Sequence, residues 1–310
     1  MKIFRDIEIF DVKNPVVSIG VFDGVHVGHK KIIDRLNELA YQYDGESVII
    51  TLWPHPKGVL QNENNNSYCL TTQKEKEILL EKMGVDNLIV LSFTKELSQT
   101  TFRDFVRYYL FNKIKAKHIV VGYNHHFGKD RKGSYDYLKK VSEEYGFFVE
   151  QLSPVIVMDS KVSSSVIRRY LEDGRIEKAN ILLGYSYFIH GNIVAGEKIG
   201  RKIGFPTANI NLSDSHKLLP GGGVYAVRVI LEGNEYKGML NIGTSPTIKE
   251  KFTQKTIEVH IIDFHREIYN KEVDIYFIKR LRDEKKFIND EELIKQLNSD
   301  KNKVIRLLSK

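Results

Sequence analysis

The distribution of apolar positions divides the chain into two parts with different rhythms. In the first part, short apolar runs alternate with stretches in which apolar residues recur at helical spacing. One helix, predicted over 101–111, opens with the capping-box spacing of Thr101 and Asp104. The alternation predicts a parallel sheet covered by helices, an α/β Rossmann-like domain. Its strands are expected at 16–22, 47–52, 87–93, 118–122 and 147–152.

After residue 184 the strand-like runs follow one another with no helical stretch between them, and only the tail, 291–308, returns to helical spacing. This pattern predicts a mostly antiparallel β-barrel with a C-terminal helix. We place the domain boundary near residue 184, where a helix over 176–183 ends at a glycine. The expected domains are therefore 1–184 and 185–310. The barrel strands are expected at 187–194, 223–231, 236–242, 256–264 and 273–278.

Composition narrows the class of protein. The chain has 310 residues, enough for two cores, and its single cysteine excludes a disulfide framework. No apolar run has the length of a membrane span, and the N-terminus lacks a signal-peptide core, so we expect a cytoplasmic protein without a membrane partner. The net charge of +7 suits anionic ligands. Because the basic residues are dispersed, we expect small phosphates rather than nucleic acid; the oligomeric state stays open.

The most informative stretch is GVFDGVHVGH, residues 20–29, which lies where a buried strand turns into a helix. Gly20, Gly24 and Gly28 allow the backbone to approach a ligand, and the helix N-terminus beyond them attracts phosphate. His26 and His29 are three residues apart and could reach one triphosphate. Alternatively, they are ordinary turn histidines or half of a metal site. A structural zinc site is disfavoured because Cys69 is the only cysteine.

Other unusual loops follow the predicted strands and are expected at the same crevice, beyond the carboxyl ends of the sheet. They are Pro54-His55-Pro56 and the run 122–128, which contains Asn124. The asparagine-rich segment 61–67 reads as a mobile polar loop. Further along, Ser163 to Ser165 can cap a helix, or else join the cations Lys161 and Arg168 in a phosphate-binding edge.

The barrel half has a glycine-rich loop of its own, Gly196 followed by GRKIGFPTAN over 200–209. It is not a P-loop, but Thr207 and Asn209 offer neutral oxygen ligands suited to a Mg-nucleotide. Glu258 stands in an otherwise apolar alternating strand, where it is either a general base or a solvent-facing side chain.

These strings resemble those of known enzymes. GVFDGVHVGH resembles the nucleotidylyltransferase signature in the form found in bacterial FAD synthetases. KVSSSVIR, 161–168, is similar to the same family's RxSSTxIR, with Lys161 for arginine and Ser165 for threonine. GFPTAN, 204–209, resembles the riboflavin kinase signature, and the similarity continues through 223–226, 241–247 and Glu258-Val259-His260. The whole chain thus resembles the bifunctional riboflavin kinase and FAD synthetase family.

The resemblance implies two activities: a kinase domain converts riboflavin to FMN with ATP and Mg²⁺, and an FMN adenylyltransferase domain converts FMN to FAD. It implies Glu258 as the kinase base and His26 and His29 as catalytic groups of adenylyl transfer. In the first domain, ATP would be bound by Gly20, Phe22, Asp23, Gly24, His26, Gly28, His29, Asn124, Lys161, Ser164, Ser165 and Arg168. In the kinase, ATP would be bound by Gly196, Gly204, Pro206, Thr207 and Asn209, with Thr207 and Asn209 also on Mg²⁺.

Two alternatives remain open at the level of sequence. Either half could have lost its activity while keeping its motifs. A different class of protein, a basic RNA-binding protein with a nucleotide-sensing domain, is suggested by the pI near 9.1 and by the similarity of His26-Val27-Gly28-His29 to the HIGH motif of some tRNA synthetases. Segment 161–168 does not read like the second motif that those synthetases need, and no aromatic and basic RNA platform stands out.

Overall fold

The chain is described from a computed structural model that covers residues 1–60, 69–129, 132–195, 199–245 and 254–309. Its contacts divide it into two compact units, Met1–Ser164 and Ser165–Lys310. The polar segment 61–67 and Gly196, both singled out in the sequence, lie outside the described residues.

The first unit is built on a six-stranded sheet in the order β1-β4-β3-β2-β5-β6, in which every pairing is parallel. Its strands are β1 Lys2–Phe4, β2 Val16–Ile19, β3 Ser47–Trp53, β4 Asn87–Ser92, β5 His118–Gly122 and β6 Phe148–Leu152. A small antiparallel hairpin follows, made of β7 Ile156–Val157 and β8 Ser160–Lys161. The parallel α/β sheet expected from the alternating pattern is confirmed.

Helices connect the strands of this sheet. They are α1 Val27–Gln42, α2 Pro56–Leu60, α3 Gln73–Lys82, α4 Lys95–Gln99, α5 Phe102–Phe105 and α6 Tyr135–Tyr145, with a 3₁₀ turn at Ile7–Ile9 and a π-helical segment, Val106–Lys113, that continues α5. The predicted cap is present, because Thr101 Oγ1 accepts a hydrogen bond from the Asp104 N–H at 3.1 Å. Every residue of β2 is buried, which explains why its sequence is apolar except for Ser18.

The second unit is a closed antiparallel barrel in the order β10-β13-β12-β11-β14-β9. Its strands are β9 Phe188–Val194, β10 Ala208–Leu212, β11 Gly223–Leu231, β12 Asn234–Ser245, β13 Gln254–Ile261 and β14 Glu272–Arg282. Its helices are α7 Ser164–Glu172, α8 Ile176–Leu183, α9 Ile199–Lys202 and the C-terminal α10 Asp290–Leu308. The barrel and the C-terminal helix are both as expected. α10 packs Val304 and Leu308 against Ala226 and Met239 of the barrel.

Helices α7 and α8 share contacts with the barrel. The Asn180 side chain donates to the Phe277 carbonyl at 2.9 Å, and the Gly221 N–H donates to the Leu171 carbonyl at 2.8 Å. These bonds account for the division of contacts after Ser164. α8 ends at Gly184, whose φ of 81° is the left-handed conformation that glycine adopts most easily.

Four strands were not foreseen in the sequence: the two-residue strands of the β7–β8 hairpin, and β1 and β10, which depend on distant partners. β1 is three residues long and pairs with β4, some eighty positions away. β10 begins inside the string read as a phosphate loop, and its residues pair with β9 and β13. Because strand pairing between remote segments leaves no local period, neither could be recognised from spacing alone.

No helix in the described parts of the chain combines the length and the apolar character that crossing a membrane requires.

The ion pair between Arg282 on β14 and Asp300 on α10 is expected to stabilise the barrel. Asp300 is fully buried, and its carboxylate accepts from Arg282 Nε at 2.8 Å and from Gln296 Nε2 at 2.9 Å. Asp300→Ala leaves the Arg282 guanidinium without its partner, so we expect the free energy of unfolding of the barrel to fall by about 3 kcal/mol. Urea unfolding followed by circular dichroism measures it. Glu267→Ala, which removes an exposed carboxylate, should change the same quantity by less than about 0.5 kcal/mol.

Candidate functional site

The first unit has a cleft of about 780 Å³ along the carboxyl ends of its strands. It lies where the chain, having built β3 and β4 on one side of β2, crosses to β5 on the other. This reversal is where open α/β sheets form their ligand sites. The lining comes from the segments that follow five strands: Gly20–Phe22 with His26, Gly28 and His29 after β2, His55 and Pro56 after β3, Phe93 and 97–99 after β4, 122–129 at the end of β5, and 153–155 with 162–164 after β6.

The two histidines of the turn form one stacked pair in this cleft. His26 is the N-cap of α1, and its Nδ1 accepts a hydrogen bond from the His29 N–H at 3.3 Å. The rings lie 3.7 Å apart between centroids and 10° from parallel. A Cβ atom at Gly28 would lie 3.1 Å from the His26 ring, a tight contact that would push the ring by a few tenths of an ångström, so glycine leaves the ring undisturbed. The pair is therefore fixed by the helix terminus itself.

Both rings are neutral at pH 7. Burial lowers the pKa of His26 to about 4, against an opposing effect of the Asp23 charge. The pKa of His29 is lowered well below its usual value by burial first, then by the charges of His26 and Lys76. Because Nδ1 of His26 accepts a hydrogen bond, its proton resides on Nε2. The pair can thus offer N–H groups to an anion without carrying charge beforehand.

The turn that precedes the histidines has an unusual backbone. Phe22 and Val25 have φ values of 49° and 35°, in the left-handed region, and Gly24 has a φ of 85°. A β-branched residue in this region is strained, so other contacts must hold the turn. Asp23 supplies one of them: it is 4% exposed, and its Oδ1 accepts from the N–H groups of Leu70 at 2.9 Å and Thr71 at 3.2 Å.

The predicted ATP-binding residues of the first domain occupy different places. Gly20, Phe22, His26, Gly28, His29, Asn124 and Ser164 line the cleft. Asp23 and Gly24 are bound to the Leu70–Thr71 segment instead, Gly24 through its N–H to Thr71 Oγ1 at 3.0 Å. Lys161 is exposed on β8, with its Nζ 5.3 Å from the centre of the Tyr123 ring. Ser165 and Arg168 belong to the second unit, and the first unit by itself does not assemble the whole set.

Ser164 has a specific contact as well. Its hydroxyl donates to the Asp23 carbonyl at 2.9 Å. Both residues belong to the first unit, so this bond holds its last residue against the histidine-bearing turn.

The cleft has an apolar side, most of which sequence reasoning missed. It consists of Leu52, Leu60, Phe93, Leu97, Phe105 and Phe127. Only Phe127 belongs to a loop that was expected at the crevice, 122–128. The other residues lie near strand ends and on short helices, where apolar residues have the same signature as core residues. A flat aromatic ligand could pack on this side while its phosphate approaches the histidine pair.

In the second unit, strand pairing and one side-chain hydrogen bond bring together the predicted residues Thr207, Asn209 and Glu258. Asn209 on β10 and Asn241 on β12 are the cross-strand partners of Glu258 on β13. Thr207 Oγ1 donates to Glu258 Oε2 at 3.3 Å. The strand alternates as expected, with Ile257 and Val259 buried and Glu258 half-buried between them. The Glu258 carboxylate thus lies beside Thr207 and Asn209, whose side-chain oxygens are neutral, rather than facing solvent alone.

The loop that presents Thr207 is anchored on both sides. The Phe205 N–H donates to the Gly200 carbonyl at 2.8 Å, and a side chain at Gly200 would lie 2.2 Å from the Phe205 carbonyl oxygen. The Pro206 carbonyl is 2.8 Å from the ring nitrogen Nδ1 of buried His260. Gly204 takes a φ of 80°, which glycine adopts without strain. His260, two residues from Glu258, therefore holds the loop against β13.

The donor set of this site suits a hard cation that arrives with a nucleotide. Thr207 and Asn209 offer neutral oxygens, and Glu258 adds one carboxylate. Mg²⁺ prefers such ligands and usually keeps several waters or phosphate oxygens in its shell. Among the described residues no group of three His, Cys, Asp or Glu side chains is arranged to hold a metal ion.

The burial of His125 in the cleft predicts how the stability of the protein depends on pH. The pKa of His125 is lowered to about 4, chiefly by burial and then by His126, and its Nε2 has no hydrogen-bond partner among the described residues. Between pH 4 and 6.5 the unfolded chain binds this proton and the folded chain does not, so the free energy of unfolding falls as the pH falls through this window.

His125→Phe removes the proton uptake, and we expect it to flatten this dependence by up to about 3 kcal/mol. Chemical unfolding at intervals from pH 6.5 to 4 measures it. His265→Phe, at an exposed histidine, is the control and should leave the slope as it is. An equally steep slope in His125→Phe would contradict the assignment of a neutral buried ring.

Comparison with known proteins divides the chain in the same order as its motifs. A family model described as FAD synthetase matches residues 10–166, and one described as riboflavin kinase matches residues 183–308. A solved structure described as a macrolide-efflux protein from Streptococcus pneumoniae superposes with a TM-score of 0.88 at 30% identity, covering 97% of each chain. That description differs from those of the family models, and the superposition establishes the fold.

Two curated relatives align over nearly the full length. The chain is 36% identical to a bifunctional riboflavin kinase/FMN adenylyltransferase of Bacillus subtilis, over 95% of this chain and 92% of the relative. It is 38% identical to a protein of the same description from Listeria monocytogenes, over 93% and 90% of the two chains. With both halves matched and the alignments nearly complete, the chain belongs to the family of bifunctional riboflavin kinase/FMN adenylyltransferases.

Proposed function

We propose that this chain makes FAD from riboflavin in two ATP-dependent steps, one in each unit. The barrel phosphorylates riboflavin to FMN, and the α/β unit joins FMN to the adenylyl group of a second ATP. The observation that carries the proposal is the presence of one polar site in each unit: the neutral histidine pair at the N-terminus of α1, and Glu258 beside Thr207 on the barrel. The order of the two family matches supports it.

In the kinase step, Glu258 acts as the general base. Its carboxylate takes the proton of the riboflavin 5′-hydroxyl while that oxygen attacks the γ-phosphorus of ATP. The bond from the γ-phosphorus to the oxygen bridging to the β-phosphate breaks, and ADP leaves. The Thr207 hydroxyl, which donates to the carboxylate at 3.3 Å, keeps the base in place before substrate binds.

Thr207 and Asn209 are the residues that we propose hold Mg²⁺ together with the ATP phosphates. When bound, the ion neutralises the charge that spreads over the phosphate oxygens during transfer. Gly204 and Pro206 let the loop backbone approach the nucleotide, and His260 fixes the Pro206 carbonyl from behind. Gly196 is assigned to the same loop on the sequence alone.

In the adenylylation step, an oxygen of the FMN phosphate attacks the α-phosphorus of ATP. The bond from the α-phosphorus to the oxygen of the β-phosphate breaks, and pyrophosphate leaves without an enzyme-bound covalent intermediate. His26 and His29 donate hydrogen bonds to the oxygens on which charge develops. Because both rings are neutral, they stabilise the transition state without binding an unrelated anion beforehand. We assign Lys161, Ser164, Ser165 and Arg168 to the triphosphate and Asn124 to the nucleotide.

We further propose that the flavin ring of FMN packs on the apolar side of the cleft, against Phe105 and Phe127. We also propose that the boundary between the two domains lies near residue 184 and that the protein is cytoplasmic. No nucleic acid is required as a partner, so the activities should be complete without added polynucleotide.

The two sites should be separable by mutation. Glu258→Ala removes the base, and we expect riboflavin phosphorylation to fall at least 100-fold while conversion of FMN to FAD is retained. His29→Ala should do the opposite, because it removes a donor from the adenylyl-transfer site. Flavins are separated chromatographically after incubation with ATP and Mg²⁺, starting from riboflavin in one reaction and from FMN in another.

The control for Glu258→Ala is Glu267→Ala, at an exposed glutamate of the same unit, and it should keep both activities. Loss of both steps in either active-site variant, with the protein folded by circular dichroism, would contradict the two-site proposal. Failure of the unaltered protein to convert FMN would retire the adenylyltransferase assignment.

A further inference from the structure

One lysine of the first unit is buried where a charge is costly. Lys76 on α3 is 1% exposed, and its Nζ donates to Thr51 Oγ1 on β3 at 3.1 Å. The ring of Trp53 lies 5.8 Å from the same nitrogen. Burial lowers the pKa of Lys76 to about 8, and the charge of Asp23 opposes that effect most strongly. The ammonium group is therefore mostly protonated at pH 7, in a site that desolvates it.

The bonds around Lys76 lead to the histidine-bearing turn. Thr51 Oγ1, which accepts from Lys76, donates in turn to the Val21 carbonyl at 3.1 Å. A few residues before Lys76, Thr71 Oγ1 accepts from the Gly24 N–H at 3.0 Å. Together, Thr51, Thr71 and Lys76 fasten the turn from two sides, and we call these three residues the turn brace.

The turn needs such a support because its backbone is strained. Phe22 and Val25 both lie in the left-handed region, and strained residues keep that conformation only when their surroundings fix it. The same turn ends at His26, whose ring has to meet His29 at 3.7 Å. A shift of the Val21 to Gly24 backbone would move the ring pair directly.

The charge of Lys76 also reaches the histidines. It is one of the three causes that lower the pKa of His29, after burial and His26. The charged or titratable groups that act on Lys76 itself are Asp23 on the turn, Cys69 before α3 and Glu77 on α3. A methionine of similar length would fill the space at no desolvation cost. A methionine would, however, lack the N–H groups with which Lys76 holds Thr51.

We propose that Lys76 is a positioning residue for adenylyl transfer: through its hydrogen bond to Thr51 it fixes the strained turn that ends at the histidine pair. It does not touch substrate. The inference rests on the proposed adenylyltransferase function of this cleft and adds a residue to its machinery.

The test compares Lys76→Met with Lys74→Met, which removes an exposed lysine from the same helix. Conversion of FMN to FAD is measured at saturating and limiting ATP, and conversion of riboflavin to FMN by the same preparation reports the intact barrel. We expect Lys76→Met to lower kcat for FAD formation by about 100-fold, with KM for ATP changed less than threefold, since misplaced catalytic groups affect the chemical step. Lys74→Met should behave as the unaltered protein.

A second pair of variants tests the path through Thr51. Thr51→Val removes the hydroxyl and should lower the same kcat about tenfold, while Thr51→Ser keeps it and should recover most of the rate. The double variant Lys76→Met with Thr51→Val should be no slower than Lys76→Met alone, because both break one network.

The pH profile separates positioning from a purely structural role. In the unaltered protein and in Lys74→Met, kcat/KM for ATP should fall as the pH rises above about 8, where Lys76 loses its proton; in Lys76→Met this limb should be absent. Full FAD synthesis by Lys76→Met would overturn the proposal, as would a limb unchanged in that variant. Absence of FAD synthesis in the unaltered protein would instead be a failure of the proposed function.

Discussion

The hydrogen bond from the His29 N–H to the His26 ring is the contact around which the α/β site is arranged. It makes an imidazole the cap of α1, which fixes the ring at the positive end of the helix and decides which of its nitrogens carries the proton. The stacked His29 is neutral as well, because burial lowers its pKa well below the usual value. A charge-neutral site that still attracts phosphate follows from this one cap.

In the barrel, strand pairing is what positions the polar side chains of the site. Glu258 lies between Asn209 and Asn241 because β13 is hydrogen-bonded to both β10 and β12, and the antiparallel register sets these three side chains side by side. The glycine-rich loop then delivers Thr207 to the carboxylate, with Phe205 buried and Pro206 held by His260. Where the first unit uses a helix end to arrange its donors, the second uses the ladder of a closed sheet.

In both sites, strained or buried residues lie next to the groups that we assign to the reaction, and neighbouring segments hold those residues in place. In the first unit, a left-handed turn is fixed by Asp23 and Thr71, and a buried lysine stands behind it. Desolvation at the two histidines has a thermodynamic cost at low pH, because the unfolded chain gains protons that the folded chain excludes. Such costs are tolerated where they keep groups in the protonation state that a reaction requires.

The sequence by itself determined the order of the two fold types, the strands His118–Gly122 and Gly223–Leu231, the helix Ile176–Leu183, and the family, because periodicity and short motifs are local properties. It also singled out Thr207, Asn209 and Glu258 as chemically unusual. Only the tertiary structure decided that Asp23 supports the turn instead of lining the cleft, that β10 begins at Ala208, and that Lys76 lies behind the histidine pair. These features depend on which distant segments meet, and in a linear sequence a buried lysine on a polar helix looks the same as an exposed one.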